Sequence, residues 1–190
     1  FLLLREGNAE MAVECLGQAT KGGNIEGAYT YACCLQDGTG FKEAHPKEAY
    51  HIWEQIVAGH DHPESYYQLG IACIQGNGCP EDENLGKAYL DTSANLGDED
   101  AMYSLGMCYL NGIGCNIDTT TAIAWLEKSA DNEKIQAINR LGNVYEAQGD
   151  FKNAVLYYEK GVAAGVRQKN VNGSTADEAT FRITPKRGEY

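Results

Sequence analysis

Three kinds of residue cluster in this 190-residue chain have the side chains for chemistry. His60-Asp61-His62 sets two imidazoles beside a carboxylate, the donor types of a zinc site. Adjacent loop residues rarely converge on one ion without a distant further ligand, so the triplet reads as a turn between helices. The seven cysteines are Cys15, Cys33, Cys34, Cys73, Cys79, Cys108 and Cys115, an odd number with no CxxC spacing for zinc. Most fall at core phases of helices and loops, where cysteine serves as a small apolar residue. Gly38-Thr39-Gly40, Gly76-Asn77-Gly78 and Gly112-Ile113-Gly114 have the look of phosphate cradles. They follow helices and not strands, and they lack the Lys-Ser/Thr ending that a cradle needs. No nucleophile with a base and an orienting group can be assembled, so the chain is expected to be non-catalytic, with no cofactor and no metal.

Charge narrows the partners. The net charge is −12, from 15 basic and 27 acidic residues. Binding to phosphate needs a basic face, so nucleic acid and anionic membrane surfaces are disfavoured. Phe1-Leu2-Leu3-Leu4 is too short for a signal or a span, and no other apolar run approaches the ~18 residues of a membrane helix. Unpaired cysteines point to reduced thiols and a cytoplasmic setting. Asn172-Gly173-Ser174 is a glycosylation sequon that matters only outside the cytosol. A start at Phe1 without methionine reads as a fragment or a processed product.

The elements that carry these residues are written as a repeat. Leu69-Gly70 recurs as Leu105-Gly106 and again as Leu141-Gly142, at intervals of 36 residues. Gly76-Asn77-Gly78-Cys79 recurs as Gly112-Ile113-Gly114-Cys115, Asp82 as Asp118, Tyr89 as Trp125 and Ala94 as Ala130, all in the same 36-residue register. A fixed period shared by several residue types marks a stacked array. Ala49, Ile52, Trp53 and Ile56 keep a helical stripe, as do Ala9, Ala12, Val13, Leu16 and Ala19. The reading is all-α: a superhelical solenoid of antiparallel helix pairs, right-handed as the resemblance to tetratricopeptide-like arrays implies. A single array covers residues 1–165, in units at 1–23, 25–61, 63–97, 99–133 and 135–165. Its first turn is Glu6-Gly7-Asn8, and Gly165 closes its last helix. The tail, 166–190, has a capping-box pattern, Thr175 with Glu178, for a short helix over the end of the stack. Aligning aromatics puts Trp53 and Tyr158 in the place of Tyr89 and Trp125. That makes the second unit's loop two residues longer than its counterparts and the last unit's three shorter. The acidic runs Glu81-Asp82-Glu83 and Asp98-Glu99-Asp100 sit at helix starts, where the dipole favours negative charge.

These residues resemble Sel-one-like repeats, relatives of the tetratricopeptide repeat. The fourth unit carries the pattern as Ala101, Leu105-Gly106, Tyr109, Gly112-Ile113-Gly114-Cys115, Asp118, Ala122, Trp125 and Ala130. The third carries it as Ser65, Leu69-Gly70, Cys73, Gly76-Asn77-Gly78-Cys79, Asp82, Tyr89 and Ala94. Cys73 departs from the family's aromatic, and Cys79 and Cys115 from its valine. The last unit, with Leu141-Gly142, Tyr145, Gly149, Ala154 and Tyr158, is more similar to a tetratricopeptide unit, as is the first. Secreted members with paired cysteines would place them where this chain has Ala94, Ala101, Ala130 and Ala137, which argues against that branch.

The resemblance implies that each first helix lines a concave side. Its groove would then hold Tyr29; Tyr67, Ile71 and Ile74; Tyr103, Met107 and Leu110; and Asn139 and Asn143. Cys33, Gln36 and Glu146 share those phases. Apolar and tyrosine side chains in such a groove suit a peptide or protein segment with hydrophobic anchors. The expected function is a non-catalytic adaptor or scaffold for protein–protein interaction. The alternative is a substrate-recruiting or regulatory arm of a larger enzyme, a kinase or ubiquitin ligase, whose catalytic part lies upstream. Contact through the solenoid ends would give a homo-oligomer or a larger complex.

Overall fold

The computed structural model describes residues 9–172, with side chains described up to residue 165. The expected turn at Glu6-Gly7-Asn8 and the expected capping helix at Thr175 and Glu178 lie outside the described residues. Among the described residues there are nine helices and no strand. In chain order they are α1 (Ala9–Lys21), α2 (Ile25–Asp37), α3 (Pro46–Gly59), α4 (Pro63–Gln75), α5 (Glu83–Asn95), α6 (Glu99–Asn111), α7 (Thr119–Asp131), α8 (Ile135–Ala147) and α9 (Phe151–Asn172). Each packs mainly against the helix before it and the helix after it, so the fold is a solenoid of antiparallel helix pairs.

Local chemistry sets the helix ends. Asn24, Asp82, Asp98 and Asp118 each accept a hydrogen bond from a backbone N–H in the first turn that follows. Such a cap satisfies an amide that would otherwise lack a partner and contributes about 1 kcal/mol. Gly38, Gly76 and Gly112 end the first helices of three units in the left-handed region, at φ of 75°, 65° and 77°.

The Leu-Gly pairs hold each hairpin shut. Leu69, Leu105 and Leu141 are all fully buried. A Cβ on Gly70 would stand 2.8 Å from Leu90 Cγ, and one on Gly106 would stand 2.7 Å from Leu126 Cγ. Glycine is therefore what lets the two helices of a unit touch. The core runs as a seam of successive clusters. Leu90 and Ala94 of α5 meet Ala101, Leu105 and Cys108 of α6; Leu126 of α7 meets Ala137 and Leu141 of α8.

The second glycine of each loop joins neighbouring units. A Cβ on Gly40 would press 2.7 Å from the Ala9 carbonyl oxygen. Cβ atoms on Gly78 and Gly114 would overlap the carbonyl oxygens of Pro46 and Glu83. In all three cases the target is the first residue of the preceding unit's second helix. These loops are backbone-to-backbone locks, which gives the recurring glycines a packing role.

Three expectations need correction. Trp53 is fully buried, with the same i, i+4, i+7 burial pattern (Ala49, Trp53, Ile56) that Gly86, Leu90 and Ser93 show on α5. It thus fills the leucine place and not that of half-buried Tyr89, and the second unit's loop is longer by one residue, not two. Likewise a Cβ on Gly142 would meet the Tyr158 ring at 2.5 Å, so Tyr158 occupies the place of Leu126 and not of Trp125, and the last unit's loop is shorter by four residues, not three. Matching aromatic to aromatic misled because the slot selects for volume against a small residue. Finally, α9 continues through Gly165 to Asn172. A glycine inside a helix costs only about 1 kcal/mol, and Gly165 is not among the residues with positive φ that would mark a cap.

Candidate protein-binding face

Tyr67, Ile71 and Ile74 lie beside Gly70 along one face of α4, and all three are half-buried against the cluster around Leu90 and Leu105. Tyr103 and Leu110 repeat this on α6, against the cluster around Leu126 and Leu141. Each side chain therefore braces the following seam and keeps an edge in solvent. Ile74 packs on α5: its Cγ1 would stand 2.6 Å from a Cβ on Gly86. Met107 is half-buried one turn after Tyr103. Burial pushes the Tyr67 pKa up, Asp100 and Asp98 add to the shift, and Ser104 of α6 opposes it.

The two ends of the stripe differ from its middle. Tyr29 is half-buried, its ring 5.1 Å from that of His62, and its hydroxyl accepts a hydrogen bond from Gln68 Nε2 at 3.4 Å. At the other end, Asn139 Oδ1 closes over Gly161 of α9, and Asn143 Oδ1 accepts from the Tyr158 hydroxyl at 2.7 Å. Both asparagines thus engage the second helix of their own unit. The apolar part of the face is confined to α4 and α6.

An acidic cleft adjoins it. The N-terminal ends of α4 and α6 and the α7–α8 turn border an open depression of about 440 Å³, lined by Pro63, Glu64, Gly97, Asp98, Glu99, Asp100 and Asn132. Lys134 is hydrogen-bonded to Asp100 and lies 3.8 Å from Glu99. Burial raises the Asp98 pKa, and the like charges of Asp100 and Glu64 raise it further. The cleft gathers residues from positions 63–64, 97–100 and 132, which no sequence window joins. The only signal was the Asp98-Glu99-Asp100 run, and its helix-start reading covers Asp98, which caps α6, but not the convergence with Glu64.

His62 is a second residue that the sequence undervalued. It is buried, and its Nδ1 accepts from the Ser65 N–H at 3.1 Å, capping α4. Its Nε2 lies 3.6 Å from Glu26 of the preceding unit. The histidine is a structural hinge-pin between units. Among the described residues no group of three or more His, Cys, Asp and Glu side chains could hold a metal ion.

The repeat geometry agrees with comparisons to known proteins. The family model for the Sel1 repeat matches residues 25–57, 63–98 and 99–133, more than half of the chain. The chain belongs to the Sel1 repeat family. A tetratricopeptide repeat model matches residues 135–164, the last hairpin of this Sel1 array. A Sel1 repeat protein from Oxalobacter formigenes shares 20% identity and a TM-score of 0.75, over 90% of this chain and 71% of that one. The protective antigen c5321 of uropathogenic Escherichia coli, described as having an SLR fold, shares 21% identity and a TM-score of 0.71, over 79% of this chain and 32% of its own. MamA shares 22% identity and a TM-score of 0.62, over 88% of this chain and 95% of its own. At these identities the likeness is one of fold. No protein of curated function matches the sequence. Arrays of this type generally scaffold protein–protein contacts and are generally non-catalytic. Among the described residues no helix is long and apolar enough to cross a membrane.

Proposed function

We propose that this Sel1 array is a non-catalytic scaffold that holds a polypeptide segment along α4 and α6. Apolar side chains of the partner rest on Tyr67, Ile71, Tyr103 and Met107, and a basic side chain enters the cleft at Glu64 and Asp98, beside Asp100, which Lys134 already pairs. The observation that carries this reading is the adjacency of a half-exposed tyrosine and apolar stripe to an acidic cleft, in a chain of net charge −12. Tyrosine gives large contact area with few rotors to freeze, and clustered carboxylates select for Lys or Arg and against acidic competitors. Tyr29, Ile74, Leu110, Asn139 and Asn143 support the face more than they touch the partner. The free thiols favour a reducing compartment such as the cytoplasm.

The test is a peptide display selection against the whole chain, with binding then measured by calorimetry. Selected peptides are expected to pair apolar anchors with Lys or Arg and to bind more weakly as salt rises. Met107→Glu and Glu64→Lys are expected to weaken them by about tenfold or more each, at an unchanged melting temperature. Peptides with no basic residue, or undiminished binding by both variants, would contradict the reading.

A further inference from the structure

The loop between α4 and α5 carries a feature that scaffolding leaves unused. Cys73, in the last turn of α4, is almost fully buried; Cys79, after the second glycine of the loop, is half-buried. The Cys79 thiol points at Cys73 Sγ across 3.7 Å. The loop geometry keeps them so: the Asp82 N–H bonds back to the Cys73 carbonyl at 2.9 Å, and Gly78 is pressed on Pro46. The Tyr50 hydroxyl of α3 lies 3.6 Å from Cys73 Sγ. The same loop one unit later is different. There the Cys115 thiol is directed at the carbonyl oxygens of Ile113 and Cys108, at 3.5 and 3.8 Å.

We propose that Cys73 and Cys79 form a thiol-modification site that closes to a disulfide by exchange with a small-molecule disulfide of the glutathione type. The Cys79 thiolate, the one with access to solvent, attacks a sulfur of the oxidised reagent. Its S–S bond breaks, one reagent thiolate leaves and a mixed disulfide forms on Cys79. Cys73, deprotonated in turn, attacks the Cys79 sulfur and expels the second reagent thiolate. Two protein thiols are oxidised, one reagent disulfide is reduced to two thiols, and the two cysteine protons end on the departing thiolates. Buried Cys73 is out of reach of the reagent and acts only as the resolving thiol. The closed bond ties the loop that rests on Pro46 to the end of α4, so oxidation fixes the joint between the second and third units.

The exchange is slow at neutral pH. Burial pushes the Cys79 thiol up to about 11, neighbouring Cys73 and then Glu54 of α3 raise it too, and Tyr50 opposes the rise. Only the thiolate attacks, so closure accelerates with each step of pH below that value. The pair answers sustained oxidation and not brief exposure.

The digest that tests this is simple. Lys47 and Lys87 bound a stretch without Lys or Arg, so one tryptic peptide, 48–87, holds Cys73 and Cys79 and no other cysteine. Peptide 88–128 holds Cys108 and Cys115 in the same way and serves as the internal comparison. The whole chain with Cys15→Ser, to remove the exposed thiol, is incubated with oxidised glutathione, blocked with iodoacetamide, digested and weighed. Peptide 48–87 is expected to lose both alkylation sites and two hydrogens, reversibly with dithiothreitol, while 88–128 lags behind. In Cys73→Ala the reaction is expected to stop at a stable glutathione adduct on Cys79. Two alkyl groups retained on 48–87, a mixed disulfide that persists with Cys73 present, or equal closure of both peptides would overturn the proposal. The wild-type readout decides the matter even if Cys73→Ala does not fold.

Discussion

The two central units and the last one share the Leu-Gly pair but hold their neighbours differently. In the central units a loop glycine sits on the preceding unit's backbone, and within each unit buried Ser93 and Ser129 tie the second helix to the first by donating to the carbonyl oxygens of Pro63 and Glu99 at 2.7 and 2.9 Å. The last unit lacks these devices. Gly149 keeps φ of 77°, yet a Cβ there would meet nothing within 4 Å, and Gly161 replaces the serine. Its first helix begins at Ile135 after Lys134, which gives no side-chain cap, and Glu133 at φ of 60°. What holds it is a pair of tyrosines. The rings of Tyr145 and Tyr157 stack at 5.5 Å, and both hydroxyls donate to Glu127 Oε1 of α7, at 3.3 and 3.0 Å. A hydrogen-bonded aromatic pair thus does the work of a loop lock. Beyond it, Val155 and Val162 of α9 are exposed at the phases where Ile123 and Ala130 of α7 meet the next unit.

The comparison can be broken at three levels. If the hairpin core is common to both kinds of unit, Leu105→Ala and Leu141→Ala should each cost about 2–5 kcal/mol, since each removes a fully buried side chain. Urea unfolding of the two variants measures this, and a cost at Leu141 near zero would show that the last unit does not share the core. The loop lock should separate them next. Gly114→Ala meets both a left-handed backbone and the Glu83 carbonyl, whereas Gly149→Ala meets only the backbone. Both pay roughly 1 kcal/mol or more for the conformation, and Gly114→Ala should lose an additional 1–3 kcal/mol or so for overpacking. Equal melting temperatures for the two variants would remove the lock from the account.

The smallest effect belongs to the acidic cleft of the central units. Asp98 has a folded-state pKa raised above its unfolded value, chiefly by burial. Its charged form therefore opposes folding at neutral pH, and that opposition fades as pH falls through the folded-state pKa towards the unfolded one. Asp98→Asn keeps an oxygen to cap Ala101 and removes the charge. It should be slightly more stable than the wild type at neutral pH, with the gap closing in acid. A gap that widened in acid would mean that the carboxylate is held by favourable partners.

Much of this was legible from residue types at fixed intervals. Leu69, Leu105 and Leu141 announced equivalent environments because a slot between two helices accepts one shape and recurs with the unit. The runs around Asp82 and Asp98 marked helix starts, since a carboxylate at a helix N-terminus depends only on the next turn. Trp53 and Tyr158 were misplaced because chemical likeness was matched where volume against a small neighbour decides. The helical phase of Tyr67 and Tyr103 was legible, but the sequence did not decide that both brace the next seam.

The sequence by itself determined period, helix ends and hairpin contacts, because each depends on residues within one unit or at a fixed offset from it. Only the tertiary structure brought Glu64 to Asp98 and Asp100, laid Gly78 and Gly114 on the backbones before them, aimed Cys79 at Cys73 and joined Tyr145 and Tyr157 to Glu127. Those arrangements turn on the angle and distance between successive helices, and the packing of whole faces sets these, not any local preference of the chain.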